Sequence, residues 1–179
     1  ARQGRRAAGD HDHRGHAVTG PRVRTDLITA FVVRPKGSSH DVMQLRRTRE
    51  PMHGSWQPVM GKIEAGERAI EAAVRELGEE TSLERAHVAG FWQLERVQPF
   101  LLSERDEVFL SPAFLALVAD GWEPTLNDEH DGHRWVPLAE AQDWFLWPSQ
   151  WTMLAECRVI LRDGSSLGEA LRREPPTTL

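Results

Sequence analysis

Glu76, Glu79 and Glu80 stand close together on one short helical stretch, directly after Arg75, within GKIEAGERAIEAAVRELGEETSL, residues 61–83. At 3.6 residues per turn, positions i, i+3 and i+4 share a face. Like charges at that spacing destabilise a helix by roughly 0.2–0.5 kcal/mol per pair. A hard divalent cation would relieve the repulsion. Mg²⁺ is held by a few carboxylates, and its remaining positions go to water and substrate phosphates. Arg75 is placed to hydrogen-bond a neighbouring carboxylate and hold its orientation. Gly61 lets the backbone approach a ligand or turn sharply, and its carbonyl could complete the metal's oxygen shell. On the same wheel Ile70, Ala73, Val74 and Leu77 form an apolar stripe that should pack on a sheet. Ala69 and Ala72 fall beside the acids, where small side chains would leave room for a cation and a phosphate chain.

The elements that must position this helix are legible from texture. DLITAFVVRP reads as a buried strand ended by Pro35, KGSSHD as a turn, and DVMQLRR as the hairpin partner. A loop, TREPMHGS, leads to a short extended piece, WQPVM, which delivers the chain to Gly61. The acidic helix is expected from about Glu67 to Thr81. HVAGFWQLERVQPFLL and EVFLSPAFLALVA read as two long strands joined by the turn SERDE. A polar loop, DGWEPTLNDEHDGH, precedes a short strand, RWVPL; AEAQDWF and PSQWTMLAECRVILRD follow as helices, the second opened by Pro148. Strands and helices mix without strict alternation, which predicts a mixed sheet packed by helices. Residues 1–22 read as a disordered Arg-, Gly- and His-rich tail, 23–163 as one domain, and 164–179 as a C-terminal tail with one helical turn. The tail's HDHRGH has metal-ligand residue types, but a solvated tail is the expectation.

Composition narrows the function classes. The 179 residues are 40% hydrophobic and 27% charged, which fits a globular domain. A net charge of −5 argues against a nucleic-acid polymer as partner and leaves small phosphorylated molecules. Cys157 is the lone cysteine, which excludes an intrachain disulfide and fits a reducing compartment, so a cytoplasmic location is expected. No apolar run reaches the roughly 18 residues needed to span a bilayer.

The acidic stretch resembles the signature of the Nudix hydrolases, G-x5-E-x7-R-E-U-x-E-E-x-G-U, with U a bulky aliphatic residue. Gly61, Glu67, Arg75, Glu76, Leu77, Glu79, Glu80 and Leu83 match it, and Ser82 replaces the last Gly. A left-handed helix ending costs Ser about 1 kcal/mol more than Gly. That substitution bears on the end of the helix and leaves the ligand positions intact. The resemblance implies an α/β/α sandwich and Mg²⁺- or Mn²⁺-assisted hydrolysis of a nucleoside diphosphate linked to another group. It implies Glu79 and Glu80 as metal ligands, Glu76 as ligand or general base, and Arg75 as its orienting partner. Some members take their base from a later loop, where Glu129 stands here, with His130 and His133 as lesser candidates.

Around the signature, VMQLRR, SWQPVMG and the late Glu129-His130 before Trp135 resemble the bacterial branch acting on dATP and dihydroneopterin triphosphate. That resemblance implies a nucleoside or pterin triphosphate substrate, cleaved to monophosphate and pyrophosphate, with Arg46 as a phosphate or ribose contact. Trp56 and Trp92 are candidate base-stacking platforms. Pro99 suggests ADP-ribose hydrolases instead. Diadenosine polyphosphate hydrolases often carry a downstream Tyr, and this chain has none, though a Trp or Phe could substitute. A non-catalytic Nudix-fold regulatory module is the alternative of another class. The complete Arg-Glu…Glu-Glu set argues against it, since a pure binder has no need to keep the charge repulsion. A homodimer is allowed.

Overall fold

The computed structural model describes residues 20–50 and 52–176; the HDHRGH stretch lies outside them. Among the described residues, eight strands join one mixed sheet. The first hairpin is β2 (Leu27–Lys36) and β3 (Ser39–Arg47), antiparallel from Val33 opposite Val42 to Lys36 opposite Ser39. The extended piece WQPVM divides at Pro58, which has no N–H to give to a ladder. β4 (Trp56–Gln57) pairs with β3, and β5 (Val59–Lys62) pairs with the first half of β2. That second pairing sets Gly61 opposite Ile28 in the middle of the sheet.

The two long strands are β6 (Val88–Leu102) and β7 (Glu107–Val118), an antiparallel pair whose register shifts between Gln93 and Val97. β7 runs parallel to β2 and also to the short β1 (Arg22–Arg24). β8 (His130–Pro137) begins four residues before the expected strand, because His130, Gly132 and His133 find ladder partners in Arg47, Arg46 and Leu45. No described helix is long and apolar enough to cross a membrane.

Helices close both faces. On one side α1 (Ala69–Thr81) presses Ala72, Ala73, Val74 and Leu77 onto Ile28, Ala30, Met43, Leu45 and Phe114. On the other, α3 (Pro148–Ile160) packs Met153, Leu154 and Cys157 onto Phe31, Val33, Trp92 and Leu115, with Phe145 alongside. The result is an α/β/α sandwich. The expected helix AEAQDWF is shorter in fact: a 3₁₀ turn leads into α2 (Ala141–Trp144). Residues 164–179, expected as a tail, contain α4 (Ser166–Leu171), whose Leu167 and Leu171 pack on the second core. Trp92 Nε1 donates to the Gly168 carbonyl at 2.9 Å, and the Arg173 amide donates to Phe91 at 2.8 Å. Trp92 is thereby a core residue tying α4 to β6, and it offers no open face for a base.

Candidate active site

α1 starts at Ala69 rather than Glu67, because Arg68 and Glu71 form a reciprocal cap there. The Glu71 carboxylate accepts from the Arg68 amide at 2.9 Å and from its guanidinium at 2.7 Å. Glu67, left outside the helix, turns back to hold Arg75 through two hydrogen bonds, Nε to Oε1 at 2.9 Å and Nη2 to Oε2 at 3.0 Å. The same guanidinium donates to the Lys62 carbonyl at 2.7 Å, to Glu76 at 2.9 Å and to Glu79 at 3.1 Å. Arg75 is therefore a hub joining the strand end, the pre-helix loop and two of the three helical acids.

The Glu76 carboxyl lies directly against Gly61. A Cβ built at Gly61 would come within 1.9 Å of Glu76 Cδ. Any side chain there would evict the carboxylate, which gives the glycine at this position a steric cause. Burial holds the Glu76 carboxyl above the usual range, and Arg75 partly offsets it.

Glu80 is the deepest of the three helical acids, 3% exposed. Burial, reinforced by the nearby Glu76 and Glu129 carboxylates, pushes it up to about 9, against opposing contributions from Arg47 and a Met60 backbone hydrogen bond. Its Oε2 has no hydrogen-bond partner among the described residues. His130 Nδ1 lies 3.8 Å from that oxygen, and burial lowers the imidazole's pKa, which favours its neutral form. A buried carboxyl oxygen without a partner is costly, and it is the form in which a metal ligand waits for its ion.

These residues fit a hard divalent cation in donor type. As they stand, no three His, Cys, Asp or Glu side chains among the described residues converge on one point. Arg75 draws Glu79 toward itself, and Glu79 is more than half exposed, so its side chain is not held by packing. Glu76, Glu79 and Glu80 supply the oxygen donors that such a cation takes.

The remaining sequence candidates divide between the two faces of the sheet. Arg46 does not meet the glutamates: its Nε donates to Asp131 at 2.7 Å. Trp56 lies with it, its ring 5.9 Å from the Arg46 guanidinium and 4.2 Å from that of Arg134. Arg47 points the other way, because Met43 and Leu45 of the same strand face α1 and side chains alternate. Its charge acts on both Glu80 and His130. The alternation of MQLRR carried this signal: the second arginine shares its face with Met43 and Leu45. Glu129 is brought to the cluster by the turn before β8, and its charge is felt at Glu76 and Glu80. His133 pairs with Glu123 at 3.0 Å, within a group that includes Trp135 Nε1 at 2.8 Å from the same carboxylate. It braces the loop that wraps the end of α1. Ser82 does adopt the left-handed conformation, φ 54°, and its Oγ donates to the Thr125 carbonyl at 3.1 Å.

The acidic helix seated against a strand glycine, inside an α/β/α sandwich, is the arrangement that the signature stretch implied. The chain belongs to the Nudix family: the NUDIX domain model matches residues 24–157. It is 33% identical over 123 residues to an octanoyltransferase of Myxococcus xanthus, a match covering 68% of this chain and 32% of that protein. The chain thus spans about a third of that relative. It is 28% identical over 110 residues to the asymmetrical bis(5′-nucleosyl)-tetraphosphatase of Mus musculus, covering 61% of this chain and 69% of that one. The crystal structure of an Ap4A hydrolase from C. elegans, a binary complex, superimposes with a TM-score of 0.64 at 19% identity, over 77% of this chain and 98% of the other. That last likeness is one of fold.

Proposed function

We propose that the chain is a divalent-metal-dependent pyrophosphohydrolase acting on a dinucleoside tetraphosphate, splitting it asymmetrically into a nucleoside triphosphate and a nucleoside monophosphate. The observation that carries the chemistry is the buried Glu80 carboxyl, its Oε2 without a hydrogen-bond partner, within reach of the Glu76 and Glu129 charges. Similarity to the mouse tetraphosphatase favours this substrate over the triphosphate that the flanking motifs suggest. Of the relatives named above, the mouse protein points to a tetraphosphatase, and none points to the dATP and dihydroneopterin triphosphate branch.

Glu76, Glu79, Glu80 and the Gly61 carbonyl would hold Mg²⁺ or Mn²⁺. Such an ion neutralises phosphate oxygens and lowers the pKa of a bound water. Arg75 fixes the Glu76 carboxylate against Gly61, so the acid reaches the site without a search among rotamers. Arg47, on the α1 face, supplies positive charge toward the phosphate chain. In this reading Glu129 acts as the base: the attacking water gives it a proton as the water oxygen bonds to phosphorus. The bridging P–O bond then breaks, and the leaving nucleotide departs with that oxygen. Positioning and charge neutralisation carry most of the rate in this chemistry. An asymmetrical hydrolase needs small nucleotides, and neither a nucleic-acid polymer nor a membrane enters the reading.

A panel of diadenosine tetraphosphate, dATP, dihydroneopterin triphosphate and ADP-ribose, each with Mg²⁺, tests the substrate. The highest kcat/KM is expected for diadenosine tetraphosphate, with ATP and AMP as products by mass. Faster turnover of either triphosphate would restore the triphosphate reading, and faster turnover of ADP-ribose would replace both.

A further inference from the structure

Two loops meet over the acidic cluster, the one after β3 and the one before β8. Four bonds stitch them together. The Thr48 amide donates to the Glu129 carbonyl at 2.9 Å, and Thr48 Oγ1 donates to the Asp128 carbonyl at 2.9 Å. Arg49 then divides its guanidinium, Nη1 to Glu129 Oε1 at 2.9 Å and Nη2 to Asp128 Oδ2 at 2.8 Å. Glu129 itself is pinned by an Asn127 side chain that accepts from its amide at 3.0 Å. The backbone of this turn is fixed, so the Glu129 carboxylate is the part left to choose a partner. In this state its partner is Arg49.

From this arrangement we infer that Arg49 is a phosphate-triggered latch on Glu129. The guanidinium ties up a carboxylate whose charge already reaches Glu76 and Glu80. An incoming phosphate chain competes for Arg49, and the carboxylate, freed of its counter-charge, becomes available beside Glu76 and Glu80. The energetics suit an exchange. Arg49 is half exposed, Asp128 is almost fully exposed and Glu129 is at the margin of exposure, and exposed ion pairs contribute only about 0.2–1 kcal/mol. Arg binds a phosphate through the same planar fork, in charge-assisted bonds roughly twice as strong as neutral ones. The Arg47 Nε donates to the Arg49 carbonyl at 2.9 Å, so a shift of Arg49 is also felt by the arginine facing Glu80. Arg49 is thus both a contact for the phosphates and a positioning residue for Glu129. The inference rests on the proposed reading of the site as a nucleoside polyphosphate hydrolase, and it makes binding of the phosphate chain the event that completes the catalytic group.

The test is a double-mutant cycle of Arg49→Gln and Glu129→Gln read by binding alone. Mn²⁺ is titrated first, without nucleotide. Arg49→Gln is expected to tighten Mn²⁺ about two- to five-fold, the equivalent of one exposed ion pair released, and the gain is expected to vanish in the Glu129→Gln background. ATP is titrated next, in EDTA. Glu129→Gln is expected to tighten ATP, and that gain is expected to vanish once Arg49 is Gln. A gain in Mn²⁺ affinity that persists without Glu129 would show only that a positive charge had been removed, and would overturn the latch. So would additive effects of the two substitutions on ATP. Circular dichroism on each variant confirms that all are folded. A protein that sorts its substrates otherwise than proposed would refute the substrate and leave this cycle's outcome standing.

Discussion

Replacing Glu80 by Gln should stabilise the metal-free protein while destroying its activity. The carboxyl sits at about 9 in the fold against an ordinary value of 4.5, so folding takes up a proton between those two values. A group raised in the folded state contributes its full share of stability below 4.5. That share is lost progressively up to about pH 9. At about 1.36 kcal/mol per pH unit, the loss at pH 7 is about 3 kcal/mol. A Gln of the same shape never ionises, but it buries an amide at a cost of about 1 kcal/mol. The net gain at pH 7 is then about 2 kcal/mol, or about 4–8 °C in Tm for a domain of this size. The assay is thermal unfolding in EDTA from pH 5 to 9. Wild type should lose stability across the range faster than Glu80→Gln, so the two curves diverge as pH rises. Saturating Mn²⁺ should reverse the order, because an ion that binds only the native state stabilises wild type alone. A Glu80→Gln variant that melts below wild type in EDTA at pH 8 would refute the reasoning.

Further expectations follow from the same geometry. Because Glu80 is protonated in the metal-free protein at pH 7, Mn²⁺ binding should release close to one proton, read by calorimetry in buffers of different ionisation enthalpy; release should fade above about pH 9. Gly61→Ala should cut turnover by at least a hundredfold, since its Cβ would occupy the place of the Glu76 carboxyl. Near-normal rates in that variant would remove Glu76 from the site. Ser82→Ala should destabilise by about 1 kcal/mol in urea unfolding, as it loses the bond to Thr125 and keeps the left-handed strain. Ser82→Gly relieves that strain and should lie within about 0.5 kcal/mol of wild type.

The acidic helix was readable because its chemistry is local: Glu76, Glu79 and Glu80 lie within five residues, and the helical period places them. The apolar stripe of α1 was readable for the same reason, except at Ala72. That residue was read as spare room beside the acids and is fully buried in the core. Sequence reading picks Arg46 of LRR, whereas strand alternation puts Arg47 on the face of Met43 and Leu45, toward Glu80. Arg49 carried no sequence signal, because its partners Asp128 and Glu129 lie about eighty residues away and only the β3–β8 pairing brings them near. The sequence marks one helical turn within 164–179, but Leu167 and Leu171 give too short a pattern to mark it as packed, and its docking depends on Trp92.

The central claim is that Glu80 and its neighbours hold the ion that drives asymmetrical cleavage. It is tested most directly by incubating diadenosine tetraphosphate in ¹⁸O-labelled water, with Mg²⁺ or with EDTA, using wild type and Glu80→Gln. The account requires ATP and AMP, one of them carrying a single labelled oxygen, from wild type with Mg²⁺, and loss of both in EDTA and in the variant by about a thousandfold or more. Two molecules of ADP as the products, or turnover by Glu80→Gln at the wild-type rate, would contradict it.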